Sequence, residues 1–116
     1  MGKSITIQGN EYLFKGHVEI PADKSISHRA VILSSLNSTE TIINNILFSE
    51  DISSTISCFQ KMGVDFIYSD NKLIVKSKGA SNFSEAKSVL DCGNSGTTAR
   101  LLSGILVGQN FSSILD

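Results

Sequence analysis

Two short stretches carry residue types that could do chemistry on an anion. The first is Asp23-Lys24-Ser25-Ile26-Ser27-His28-Arg29, and the second is Cys92-Gly93-Asn94-Ser95-Gly96-Thr97-Thr98, followed by Arg100. Each sits where a segment with helical spacing begins. The start of a helix holds several unpaired backbone N–H groups and about half a positive charge. A negative ligand is therefore favoured there, and a cation is mildly unfavourable. Lys24, Arg29 and Arg100 nevertheless all fall at or within the first turn or so of a helix. Glu50 and Asp51, at another helix start, follow the ordinary rule. A bound anion accounts for the inversion. Lys24 would act as a mobile point charge and Arg29 as a planar fork for phosphate or carboxylate. Ser25 and Arg29 stand four apart and share a helix face, so both can reach one group. In the second stretch two glycines and several small hydrogen-bonding side chains let a ligand approach the backbone closely.

Each feature also has a plainer reading. Lys-Ser-x-Ser-x-Arg can be a solvated helix end, His28 reads as a hydrogen-bonded structural residue, and glycine-rich helix starts also serve packing. Neither stretch is a Walker loop or a Gly-x-Gly-x-x-Gly dinucleotide loop.

The elements that would position these residues follow from periodicity. Alternation marks strands at 4–8 and 16–20, with Gly9-Asn10 as a turn and Pro21 ending the second strand. Ile26, Ala30, Leu33, Ile32 and Leu36 give helical spacing over 25–36, wide enough that the helix should be largely buried beyond its first turn. Residues 39–44 are β-branched and strand-like. Ser49 reads as an N-cap, with Ile52, Ile56 and Phe59 as the buried face and Gly63 as the stop. A hairpin follows, 64–68 and 73–75 around Ser69-Asp70-Asn71-Lys72. After a polar connection come a short strand at 88–91, a helix over 96–107 closed by Gly108, and a strand-like run to Asp116.

The order from 16 to 75 is strand, helix, strand, helix, strand, strand, and a second copy opens at Ser88. A shift of 71 residues carries Asp23, Ser25, Ser27 and Arg29 onto Asn94, Gly96, Thr98 and Arg100. Both helix starts then read [Asp/Asn]-x-[Ser/Gly]-x-[Ser/Thr]-x-Arg at the same point of the element order, which marks an internal repeat. The fold class is α/β (α+β): residues 1–14 are a leading strand segment, 15–87 a complete βαβαββ unit, and 88–116 the start of a second.

Bulk properties narrow the partners. With 116 residues, a net charge of -1 and 41% hydrophobic residues, the composition is that of a globular domain or part of one. Bulk binding to nucleic acid or an anionic membrane is not expected, so any anion site is local. No apolar run approaches a membrane span, and no signal peptide is recognisable, so a cytoplasmic location is expected. Cys58 and Cys92 lie far apart without paired Cys or His, so neither zinc nor a disulfide is expected. A reactive thiol at Cys92 is conceivable beside the glycine loop, but a small core residue is the simpler reading.

Ile20-Pro21-Ala22-Asp23-Lys24-Ser25-Ile26-Ser27-His28-Arg29-Ala30 and Leu90-Asp91-Cys92-Gly93-Asn94-Ser95-Gly96-Thr97-Thr98-Ala99-Arg100-Leu101-Leu102 resemble the first two signature segments of the 5-enolpyruvylshikimate-3-phosphate (EPSP) synthase family. Order, separation and flanking elements agree, and the resemblance covers essentially the whole chain. The sister transferases that act on UDP-N-acetylglucosamine have asparagine directly after the first-loop lysine, where this chain has Ser25. The resemblance implies transfer of the enolpyruvyl group of phosphoenolpyruvate to the 5-hydroxyl of shikimate 3-phosphate, with no metal or organic cofactor. It implies a fold of two similar lobes, an inside-out α/β barrel arrangement in which each lobe holds three βαβαββ units. It also implies residue roles. Lys24 would be catalytic and touch both substrates, Ser25 and Arg29 would hold shikimate 3-phosphate, and Gly96, Asn94 and Thr97 would form the phosphoenolpyruvate loop. Arg100 would support that loop.

Two departures stand out. Ala22 replaces the glycine usual between the proline and the acid, which is tolerable unless positive φ is needed. The chain is also much shorter than family members, so the expected state is an N-terminal fragment, inactive alone, of a monomeric parent. Its first strand would belong to the opposite lobe. A stand-alone anion-binding module without catalysis, or a structural piece that assembles with a separately made remainder, are the competing readings.

Overall fold

A computed structural model describes residues 2–9, 11 and 15–116. Its regular elements begin with α1 (Lys24–Leu36), β1 (Thr41–Asn44), α2 (Glu50–Lys61), β2 (Asp65–Ser69) and β3 (Lys72–Lys76). A single 3-10 turn (Ala80–Asn82) and α3 (Gly96–Leu106) follow. The mixed helix and strand class expected from the sequence is the one observed.

The three strands form an antiparallel sheet in the order β1-β3-β2. Register is set by the alternation of β3, whose Leu73 and Val75 are buried while Lys72 and Lys76 are exposed. Leu73 faces Ile43 and Tyr68, and Val75 faces Thr41 and Phe66. The hairpin turns through Asp70 and Asn71, both in the left-handed region with φ of 50° and 59°. Two positive φ values in a two-residue loop define the turn whose twist matches paired strands.

Helix α2 is built as its sequence suggests. Ser49 caps it by accepting from the Ile52 amide, Glu50 and Asp51 sit in the first turn, and Lys61 in the last. Gly63, with φ of 95°, takes the turn out of the helix. Ile52, Cys58, Phe59 and Met62 pack into one core with Val31 and Ile32 of α1, Leu73 and Val75 of β3, and Phe83, Leu90 and Leu102. Phe59 and Phe83 lie tilted with ring centroids 5.8 Å apart.

Three expectations are corrected. Residues 4–8 and 16–20 form no strand, and Ile5, Ile7, Val18 and Ile20 all stand exposed. Strand propensity needs a ladder partner, and no described strand pairs with either segment. The expected Gly9-Asn10 turn includes Asn10, which lies outside the described residues. Second, 88–91 and the terminal run form only a minimal parallel bridge between Leu90 and Leu115, held by the Leu90 amide on the Ile114 carbonyl and the Asp116 amide on the Leu90 carbonyl.

Third, α1 buries only part of the expected face: Ile32 is buried and Leu36 packs against the core, but two of the expected residues are not buried. Ser27, His28, Val31, Ile32, Ser34 and Ser35 are buried, whereas Ile26 and Leu33 are 60% and 65% exposed. Two of the buried serines have clear partners. Ser35 donates to the Val31 carbonyl at 2.8 Å, and Ser27 accepts from the Leu47 amide at 3.0 Å. Ala22 is not among the positive-φ residues, so its Cβ is tolerated. No helix among the described residues is long and apolar enough to cross a membrane.

The hairpin yields a stability prediction. Asn71→Gly creates the preferred Asp-Gly pair for this turn and is expected to raise stability by a few tenths to about 1 kcal/mol. Asn71→Ile places a β-branched side chain at positive φ and should lower it by about 1–2 kcal/mol. Urea unfolding of the two variants beside the parent chain checks both signs.

Candidate anion site at three helix starts

The two chemistry-bearing stretches do begin helices, and the structure brings them to a third. Asp23 caps α1 by accepting from the Ile26 amide at 2.7 Å. Ser95 caps α3 by accepting from the Thr98 amide at 3.1 Å. Between them stands the first turn of α2. Lys24 and His28 on α1 meet Asp51 and Thr55 on α2, an i, i+4 pair facing an i, i+4 pair.

Asp51 is the junction. Its carboxylate accepts from the Lys24 ammonium at 2.6 Å. Its backbone carbonyl accepts hydroxyl contacts from Thr55 at 3.1 Å and from Thr98 at 3.4 Å. The Lys24 hydrogen bond holds the Asp51 carboxyl below its ordinary value, against the opposing effect of its own desolvation. Asp51 was not among the residues singled out from sequence. The only signal was its place in the first turn of α2, and the helix dipole already accounted for an acid there.

Beneath the pair runs a buried line of polar side chains. His28 Nδ1 lies 3.2 Å from Thr55 Oγ1, Thr55 Oγ1 lies 2.8 Å from Thr98 Oγ1, and Thr98 donates to Ser95 Oγ at 2.7 Å. Thr55 and Thr98 are fully buried, and His28 nearly so. His28 thus has the hydrogen-bonded structural setting expected for it. Its Nε2, however, is buried without a partner among the described residues.

The proposed ligand-bearing residues all face outward. Lys24, Ser25 and Arg29 on the first loop, and Asn94, Gly96 and Thr97 on the second, are exposed, while Ser27, His28, Ser95 and Thr98 turn inward. Among the described residues Arg29 and Arg100 form no ion pair, whereas Lys24 has one with Asp51. Lys24 is therefore compensated inside the chain, and the uncompensated cation at α1 is Arg29. The 71-residue echo holds in burial at its motif positions, since Ser25 and Gly96 are exposed, Ser27 and Thr98 buried, Arg29 and Arg100 exposed. It slips by one at the cap, which is Asp23 in α1 but Ser95 rather than Asn94 in α3.

The two loop glycines have different reasons. Gly93 has φ of 57°, and a Cβ there would stand 2.8 Å from Ser54 Oγ on α2. A Cβ on Gly96 would meet nothing within 4 Å, so the chain's own packing does not call for glycine at that position. Cys92 is buried and its thiol is pushed up by desolvation. Burial likewise raises Cys58 to about 12. Both thiols are core groups by this geometry, since the reactive form is the thiolate. A concavity of about 600 Å³ lined by Glu19, Ile20, Pro21, Asn45 and Asn71 contains none of the expected site residues.

The family model described as EPSP synthase (3-phosphoshikimate 1-carboxyvinyltransferase) matches residues 8–116. The chain belongs to the EPSP synthase family. The 3-phosphoshikimate 1-carboxyvinyltransferase of Caldicellulosiruptor saccharolyticus is 49% identical over 113 residues, which are 97% of this chain and 26% of the relative. That of Geobacillus thermodenitrificans is 47% identical over 114 residues, 98% of this chain and 26% of the relative. The solved EPSP synthase from Acinetobacter baumannii superposes with a TM-score of 0.81 at 35% identity, covering 89% of this chain and 24% of that one. This chain therefore spans about a quarter of the length of the EPSP synthase relatives it matches.

Two predictions follow from the site's physical chemistry. Gly96→Ala should leave stability within about 1 kcal/mol of the parent or slightly raise it, because alanine is the better helix former. Gly93→Ala should cost about 1 kcal/mol or more, because positive φ and the Ser54 contact oppose a Cβ. Urea unfolding midpoints decide the contrast. The second concerns pH. Burial pushes the His28 imidazole below its ordinary 6.5; the Asp51 carboxylate opposes this, and Lys24 adds to it. The unfolded chain therefore takes up a proton before the folded one does, so this contribution is complete above the ordinary value and is lost as pH falls below it. The urea midpoint should drop between about pH 7.5 and about pH 5.5, and His28→Gln should narrow that drop. An unchanged pH dependence in the variant would show that His28 does not carry it.

Proposed function

We propose that this chain forms the N-terminal quarter of a 3-phosphoshikimate 1-carboxyvinyltransferase. The parent enzyme moves the enolpyruvyl group of phosphoenolpyruvate onto the 5-hydroxyl of shikimate 3-phosphate and releases inorganic phosphate. The observation that carries the reading is the outward set Lys24, Ser25, Arg29, Asn94, Gly96 and Thr97 on helix starts tied together through Asp51. Lys24 contacts both substrates and is the catalytic residue of this quarter. Ser25 and Arg29 hold shikimate 3-phosphate. Gly96, with open space where its Cβ would stand, lets phosphoenolpyruvate approach the α3 N-terminus, and Asn94 and Thr97 shape that loop.

Both substrates are anions, so bringing them together costs electrostatic energy that cations and helix N-termini must offset. The α1 and α3 starts supply fixed N–H dipoles, and Arg29 supplies a charge without an internal partner. Residues 1–14 belong to the opposite lobe, 15–87 to the first unit, whose leading strand at 16–20 would pair only within the complete enzyme, and 88–116 open the second. Exposed Ile26 and Leu33 on α1 and Leu101 on α3 fit this placement, since the remaining three quarters of the enzyme would cover them. The chain acts in the cytoplasm without metal or organic cofactor, and the complete enzyme is monomeric.

The test is phosphate release from the two substrates together. The 116-residue chain alone is expected to give none, and the chain joined to the downstream three quarters of the Geobacillus thermodenitrificans relative is expected to give turnover. In the joined protein, Arg29→Ala should raise the half-saturating shikimate 3-phosphate concentration roughly tenfold or more, the scale of one lost charge-assisted contact. Lys24→Ala should lower turnover as well. Binding of shikimate 3-phosphate that survives both changes would overturn the site assignment. Anion binding without turnover in the joined protein would favour a non-catalytic module.

A further inference from the structure

α1 packs on α2 and α2 packs on α3, so α2 lies between the helices that carry the two loops. The residues at that crossing are Thr55 and Thr98. Both side chains are fully buried, and their hydroxyl oxygens stand 2.8 Å apart. Each also bonds into one of the two loops. Thr55 reaches His28 Nδ1, four residues after Lys24, and Thr98 reaches the Ser95 hydroxyl that caps α3. Core packing alone would be served equally well by valine, which has the same shape. A hydroxyl at these positions must instead be matched to partners, because an unpaired buried one costs about 1–3 kcal/mol.

The proton count makes the line a single unit. Each hydroxyl owns one hydrogen, and each short oxygen–oxygen contact needs one. Reversing the donor direction at Thr55–Thr98 changes which protons remain for Ser95 and for the Asp51 carbonyl, and whether His28 Nδ1 donates or accepts. A change at the α3 cap is thereby felt at the imidazole on α1, although Thr98 and His28 share no hydrogen bond.

We propose that Thr55 and Thr98 are positioning residues that couple the Lys24–Arg29 loop to the Asn94–Thr97 loop through this buried hydroxyl line. Anion binding at one loop sets the orientation of the other. The identity of the anions comes from the functional reading above, whereas the hydroxyl line is a property of the fold.

The experiment uses the 15N-labelled 116-residue chain and has two arms. In the first, the ring nitrogens of His28 are read by long-range proton–nitrogen correlation in the parent, Thr98→Val and Thr98→Ser. Exposed His17 is the internal control. Thr98→Val is expected to move the His28 nitrogens while His17 stays in place, and Thr98→Ser is expected to restore the parent values. Unmoved His28 signals in a folded Thr98→Val overturn the proposal.

In the second arm, shikimate 3-phosphate is titrated and the amides of Ser25–Arg29 and of Gly96 and Thr97 are followed. Both sets should shift with one midpoint in the parent. Thr55→Val should keep the first set and lose the second, and Thr55→Ser should recover it. A second set that responds equally in Thr55→Val overturns the coupling. A parent chain whose Ser25–Arg29 amides do not respond overturns the substrate reading instead, and the His28 arm then decides the hydroxyl line by itself. If Thr55→Val does not fold, the Thr98 variants carry the same titration.

Discussion

Three helix starts crowd against one residue, and the rest of the structure is arranged to make that tolerable. Asp51 presents its carboxylate to Lys24 and its backbone carbonyl to Thr55 and Thr98, so α1, α2 and α3 all meet it. Like-oriented helix ends brought together repel, because each carries a partial positive charge. One internal anion at the junction offsets part of that repulsion, and an arriving ligand can offset more. The sheet and core serve this geometry: α2 is clamped by Phe59 and Met62 on one side, which leaves its first turn free to receive both neighbours.

This constraint explains the odd composition of α1. Amphipathic helices usually bury apolar residues, yet α1 buries Ser27, His28, Ser34 and Ser35 and exposes Ile26 and Leu33. His28 bonds to Thr55 of α2, Ser27 to the Leu47 amide, and Ser35 to the Val31 carbonyl within α1. The same division of labour appears at α3, where Ser95 and Thr98 turn inward while Asn94, Gly96 and Thr97 face out. Inward residues hold the loops, and outward residues stand exposed. The two orientations alternate along one short stretch.

Much of this was legible in the amino-acid sequence, and the misses have physical causes. Ser49, Glu50, Gly63 and the Asp70-Asn71 turn act locally, through caps, dipoles and backbone sign, and all stand where their types place them. The strands at 4–8 and 16–20 depended on a partner to pair with, and alternation alone cannot supply one. The buried face of α1 was misjudged because hydropathy ranks Leu33 above Ser27 and His28, whereas contact with α2 ranks them the other way. Asp51 escaped notice because one sufficient explanation, the helix dipole, concealed a second role visible only once α1 lay beside α2. The outward set of Lys24, Ser25, Arg29, Asn94, Gly96 and Thr97 was legible because those residues contradict local helix chemistry or leave space that packing does not demand.

That contradiction is narrower in the folded chain than in the sequence. Three cations at helix starts seemed to call for a ligand, yet Lys24 is already matched by Asp51 at 2.6 Å. An anion entering the site must share Lys24 with that carboxylate, and a dianion would feel Asp51 as a repulsive neighbour at short range. Arg29 has no such competitor among the described residues, and its fork suits the flat face of a phosphate or carboxylate. On the proposed reading, Arg29 and the start of α1 would meet a ligand first, and Lys24 would have to leave Asp51 to join them.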